Sequence, residues 1–138
     1  MTGKTSGRLF IAAVLALTPF CGAANALDET KVAIKPKVVL VFDRECQIWC
    51  NKVKPIVQEL EHTYKDKVEF VSLDTSADSF ATSMSHAKPL GLAKFLSDNQ
   101  DYAPVVGVFS ARGKIVKELV GPKSKSIYED AIAKALTK

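Results

Sequence analysis

Val38-Val39-Leu40-Val41-Phe42 runs directly into Asp43-Arg44-Glu45-Cys46-Gln47-Ile48-Trp49-Cys50. Five consecutive apolar residues, three of them valine, mark a strand buried on both faces. A polar loop, 43–47, follows. From about Trp49 the period changes: Val53, Ile56, Val57, Leu60 and Tyr64 recur at three- and four-residue spacing, which predicts a helix with one apolar face running to Tyr64. Pro55 lies inside that helix and is expected to kink it. The organising unit is therefore a buried strand, a short loop, and a helix whose start carries two cysteines.

Working towards the C-terminus, Val68 to Leu73 reads as a second strand. The stretch from Asp74 to about Lys88 is polar, rich in Ser and Thr, with Phe80 and Met84 as weak apolar content. A short helix is expected from Pro89 to Leu96. Ala103-Pro104 leads into Val105 to Phe109, a third apolar strand, and Arg112-Gly113 marks a turn. Ile115 to Val120 forms a fourth strand. A terminal helix runs from Ser126 to Leu136 on the stripe Ile127, Ala131, Ile132, Ala135 and Leu136, with Ser124 or Ser126 as its cap. The order β-α-β-α-β-β-α implies a parallel crossover, then an antiparallel hairpin, in a mixed sheet covered by helices on both faces.

Working towards the N-terminus, residues 27–37 are a polar lead-in, with a short strand or helix near 30–34. Ahead of it, Lys4 and Arg8 precede nine apolar residues, Leu9 to Leu17, too few for the roughly 18–20 of a spanning helix. Pro19 and Gly22 break the run, and Ala24-Asn25-Ala26 supplies a small-x-small cleavage site. This layout reads as a secretory signal over residues 1–26, leaving one domain over 27–138. Pro19-Phe20 ahead of Cys21 does not fit a lipoprotein motif. Removing Lys4 and Arg8 lowers the formal charge from +4 to +2, so the basic balance is partly a targeting feature and gives no case for a nucleic-acid partner. The 138 residues, 47% hydrophobic and 25% charged, exclude a disordered tail, a collagen-like repeat, a disulfide-dense miniprotein and a multi-span membrane protein.

Cys21 leaves with the signal, so the exported chain keeps Cys46 and Cys50 in an oxidising compartment. A disulfide between them closes a tiny loop and does little for stability. Chemistry is the better reason for their proximity. A thiol at a helix N-terminus feels the positive end of the macrodipole and unpaired N–H groups, which favour the thiolate; Asp43 and Glu45 act against this and Arg44 offsets them. Two helical Cys at i and i+4 have Cα atoms about 6 Å apart, near the long end of disulfide range, so Cys46 just outside the helix would pair more easily.

The element order, with cysteines and Trp49 at the first long helix, Pro55 five residues after Cys50, Leu73-Asp74 closing a strand, Pro104 opening the next, the Arg112-Gly113-Lys114 turn and Gly121, resembles the thioredoxin fold over roughly residues 36–137. The resemblance implies a thioredoxin-like three-layer α/β/α fold and thiol–disulfide exchange with protein thiols or disulfides. In that reaction Cys46 and Cys50 react, Pro104 is a cis-proline facing them, and Ala103 offers its backbone to a substrate peptide. Trp49 lies either on the rim of the site or in the core. No cofactor or metal is implied by this reading, and the expected product is an exported, periplasmic, lumenal or extracellular monomer without membrane insertion.

The chain also departs from the family pattern. Its motif is C-x-x-x-C rather than C-x-x-C. Aligned on Pro55, Cys50 takes the resolving position and Gln47 the nucleophile's; alternatively one residue is inserted and Cys46 keeps the nucleophile's role. The family's buried acid falls at Val41, so that proton acceptor is missing or is replaced by a group such as Asp43 or Glu45. The stretch between Asp74 and Pro104 is about a dozen residues longer than in a minimal thioredoxin. Two other readings stay open. One is a copper-binding module resembling the Sco-type chaperones, with Cys46 and Cys50 joined by His86 or Met84 on Cu(I). The other is a non-catalytic binding domain with a static disulfide. His62, about 18 Å down the helix from Cys50, reads as a surface residue. Whichever reading holds, both sulfurs are expected at the mouth of the helix, across from Pro104, within reach of a partner.

Overall fold

A computed structural model describes residues 34–138. Residues 1–26, read above as a signal, and most of the expected lead-in, residues 27–33, lie outside the described residues. Among those described, the elements are β1 (Lys37–Phe42), α1 (Gln47–Tyr64), β2 (Glu69–Asp74), α2 (Phe80–Ala87), α3 (Ala93–Asn99), β3 (Val105–Phe109), β4 (Ile115–Val120) and α4 (Lys125–Leu136). They build the expected α/β fold: a four-stranded mixed sheet between two helical layers. No described helix is long and apolar enough to cross a membrane.

The sheet order is β2-β1-β3-β4, with β1 parallel to β2 and antiparallel to β3, and β3 antiparallel to β4. The continuous apolar run of β1 serves two cores because successive side chains point to opposite faces. Val38 and Leu40 pack with Val53, Val57 and Leu60 of α1 and with Tyr128, Ala131 and Ile132 of α4. Val39 and Val41 pack with Ala87, Leu92, Phe95 and Leu96 from the α2–α3 segment. β1 is thus central, paired on both edges and covered on both faces, and it delivers its C-terminal end to the loop that carries Cys46.

The largest departures from expectation are in the first three helices. α1 begins at Gln47 rather than Trp49 and continues through Pro55 as one helix of 18 residues. α2 occupies the stretch read as irregular: Phe80, Met84 and Ala87 recur at helical spacing, and three apolar positions suffice because only one side faces the sheet. The helix expected from Pro89 begins only at Ala93. Between them the chain turns at Gly91, whose φ of 71° is left-handed. The Leu92 N–H donates to the Ala87 carbonyl (2.9 Å) and the Gly91 N–H to the Lys88 carbonyl (3.1 Å). These are the two bonds of a Schellman closure, and its apolar contact is supplied by Leu92 and Ala87 in the same core cluster.

Candidate functional site

The site is built where β1 ends and α1 starts. Phe42 fixes the end of the strand: its carbonyl accepts the Thr75 N–H (2.8 Å) and the Thr75 hydroxyl (3.2 Å). Asp43 then folds the loop. Its Oδ1 accepts the Glu45 N–H (2.8 Å) and its carbonyl accepts the Cys46 N–H (3.1 Å), an Asx turn that pre-sets where Cys46 enters the helix. Arg44 ties this loop to the one after β2. Its Nε donates to Asp74 (3.0 Å), and its Nη2 to Asp78 (3.1 Å), Ser76 (3.3 Å) and Ser79. Burial raises the Asp74 carboxyl, but the Ser76 N–H and hydroxyl and the Arg44 guanidinium outweigh it and hold Asp74 below its ordinary value. Arg44 is therefore engaged by carboxylates and acts as a strut rather than as a free charge beside the thiols.

Cys46 is the N-cap residue of α1, with φ −77° and ψ 81°, one residue outside the helix. Cys50 follows on the inner face of the first turns, in line with Val53 and Val57. Both are free thiols. Their exposure differs sharply: Cys46 is half-buried and Cys50 is 1% exposed. The expectation that a partner can touch both sulfurs is therefore corrected. Cys50 sits on the helix face that packs inward, so an incoming group meets Cys46 first and Cys50 is reached from Cys46.

The two environments push the thiols apart. Burial raises Cys46, but the Cys50 thiol and the backbone N–H groups of Cys50 and Trp49 outweigh it and leave Cys46 below a thiol's ordinary value; the Asp43 carboxylate opposes them. The sulfur makes no close capping hydrogen bond, so these N–H groups act on it at longer range, as the dipole of a helix start does. Cys50 is pushed up to about 11, first by burial and then by the neighbouring Cys46; the Asp43 N–H and the Lys54 ammonium act in the opposite direction.

The Ala103–Pro104 peptide bond is cis. Trp49, Ala103 and Pro104, from separate parts of the chain, line one groove of about 310 Å³ together with Tyr102, Val120, Gly121 and Pro122. Trp49 is on the rim, 53% exposed, not in the core; Tyr102 is 63% exposed and Val120 49%. The groove floor is fixed by the Gly121 N–H, which donates to the Pro104 carbonyl (2.8 Å). Buried Tyr128 holds the same turn, accepting the Lys123 N–H (3.2 Å) and donating to the Gly121 carbonyl (3.4 Å). The sulfurs do not line this groove; Trp49, in the same helical turn as Cys46 and Cys50, joins the two.

The remaining candidates lie elsewhere. His86 lines a separate hollow of about 370 Å³ with Phe42, Asp74 and Thr82. Met84 packs against the core on the α2–α3 side. His62 is exposed near the far end of α1. Among the described residues no three His, Cys, Asp or Glu side chains converge, so His86 does not gather with the two cysteines. Val41, where the resemblance would put an acid, is fully buried among apolar residues. Sequence reasoning missed Tyr102, Val120 and Pro122 as groove residues. An aromatic residue two positions before Pro104 was the available signal for the first; the other two are brought in by the β3–β4 pairing.

No protein-family model matches this chain, and no match is found among curated protein sequences.

Proposed function

We propose that this chain is an exported member of the thioredoxin-like family that exchanges disulfides with protein partners through Cys46 and Cys50. One observation carries the reading: two free thiols meet at a helix start, Cys46 half-buried at the cap and held below a thiol's ordinary value, Cys50 buried behind it and held above. The apolar groove beside Trp49, lined by Tyr102, Ala103 and Pro104, supports it by offering side-chain contacts to a peptide. The charged, then apolar, then small-residue pattern of residues 1–26 supports export.

In the reducing direction the Cys46 thiolate attacks one sulfur of a partner disulfide. That S–S bond breaks, a Cys46–partner bond forms, and the second partner sulfur leaves as a thiolate. Cys50 gives its proton to solvent and attacks Cys46 Sγ. The mixed disulfide breaks, the partner leaves reduced, and the pair is oxidised by two electrons. The reverse sequence oxidises a dithiol partner.

The test is a redox titration of the full exported domain against glutathione, read by alkylating the free thiols. Exchange chemistry predicts a Cys46–Cys50 potential between about −270 and −120 mV. A pair that stays oxidised below about −300 mV behaves as a structural disulfide and contradicts the proposal.

A further inference from the structure

We propose that the Lys54 ammonium, held half-buried over the Phe42 ring, supports the Cys50 thiolate while that thiolate resolves the mixed disulfide. This rests on the exchange reading above and assigns the resolving half of the reaction a residue outside the cysteine motif. The need is specific to this chain. Cys50 must shed a proton in a buried place, and Val41, on the strand that leads into the site, has no group to take it or to stabilise what remains.

Helix geometry and two observations support Lys54 in that role. It follows Cys50 by four residues, so the two share a face of α1. Each Cα–Cβ bond of a helix tilts towards the N-terminus, which leans the lysine stem back over the turn carrying Cys50. Its Nζ lies 4.1 Å from the centroid of Phe42, the last residue of β1, directly before the loop that carries Cys46. A ring face attracts the cation without neutralising it. Among the described residues no carboxylate is in ion-pair contact with Lys54, whereas Lys37 and Lys94 each have one and Arg44 and Lys125 each have two. No ion pair therefore neutralises the ammonium. The other groups that act on Cys50 are the Cys46 thiol and the Asp43 N–H, and the Lys54 charge lowers the cost of ionising Cys50 against the burial and the Cys46 charge that raise it.

In the resolving step the Cys50 proton goes to water, and no proton passes to or from Lys54. The new thiolate sits near a cation instead of in an apolar wall, and attacks Cys46 Sγ as the partner thiolate departs. Lys54 acts through Cys50 and touches no substrate atom; it is a positioning residue.

The experiment uses one equivalent of dipyridyl disulfide, a neutral probe whose released thione absorbs light. Attack by Cys46 releases a first thione and resolution by Cys50 a second, so the two steps are timed separately. Lys54→Met keeps the stem over Phe42 and removes the charge; Lys54→Arg keeps both. The ratio of second-phase to first-phase rate is expected to fall about threefold to tenfold in Lys54→Met and to return to near wild type in Lys54→Arg. The pH profile of the second phase is expected to move upward in Lys54→Met alone. A ratio unchanged in Lys54→Met, or one that falls as far in Lys54→Arg, overturns the inference and leaves the exchange reading intact. Wild-type protein that releases only one thione has no resolving step, and both fall together.

Discussion

Cys46→Ser is expected to lower disulfide-exchange turnover by roughly a thousandfold or more, because it removes the only one of the two sulfurs that a partner can reach. Cys50→Ser is expected to behave differently. The first attack survives, resolution does not, and a Cys46-linked mixed disulfide with the partner accumulates to near one equivalent. Mass spectrometry of the non-reduced products distinguishes the two variants directly. The asymmetry follows from burial alone: Cys50 at 1% exposure has no route to a partner except through Cys46. Trapping of a partner by Cys46→Ser, with Cys50 as the linked residue, would reverse the assigned roles. This outcome also chooses between the two alignments left open by the C-x-x-x-C spacing. Gln47 stands where an alignment on Pro55 puts a nucleophile, yet the cap position, at the edge of the site, belongs to Cys46.

The second large effect concerns the fold. Gly107→Val is expected to destabilise the domain by about 3 kcal/mol, lowering Tm by on the order of 10–20 °C. Strand propensity argues for the opposite, since valine suits a β-strand better than glycine. Packing decides. A Cβ at residue 107 would lie 2.5 Å from Phe95 Cζ and 2.8 Å from Phe109 Cε2. Those rings meet edge to face, with centroids 5.2 Å apart and planes at 89°, and both are buried in the core on the α2–α3 side. They have little room to yield, so the extra methyl groups force ring and backbone shifts. Chemical denaturation of the two proteins settles it: equal or higher stability for the valine variant would show that the pair repacks freely.

Gly107 also shows what can be read from a sequence and what cannot. The run Val105 to Phe109 identifies its strand without ambiguity, but a glycine within it is silent about which rings close over it. The strands themselves were legible because β1 and β3 are continuous apolar runs, and the hairpin because Arg112-Gly113 separates two of them. Strand order was not, since it depends on which edges pair. α2 was hidden because Phe80, Met84 and Ala87 are spread through a segment of Ser and Thr. At the site, Cys46, Cys50 and Trp49 announce themselves by spacing, and Pro104 by resemblance. Arg44 and Lys54 do not: one meets Asp74 and Asp78 across 30 residues or more, the other sits over Phe42. Their roles exist only after folding. The exposure of Cys50 was misjudged although its spacing carried the signal: Cys50 precedes Val53 and Val57 by three and seven residues, which puts it on the apolar stripe that packs inward.

Unequal thiols on one helix start are the central claim, and the rate of alkylation of each cysteine as a function of pH measures it. In the reduced domain, Cys46 is expected to be modified first, with a midpoint below that of the same chain unfolded in denaturant. Cys50 is expected to resist until the pH approaches about 11. Two cysteines that titrate together at the unfolded value, or a Cys50 that reacts before Cys46, would contradict the account.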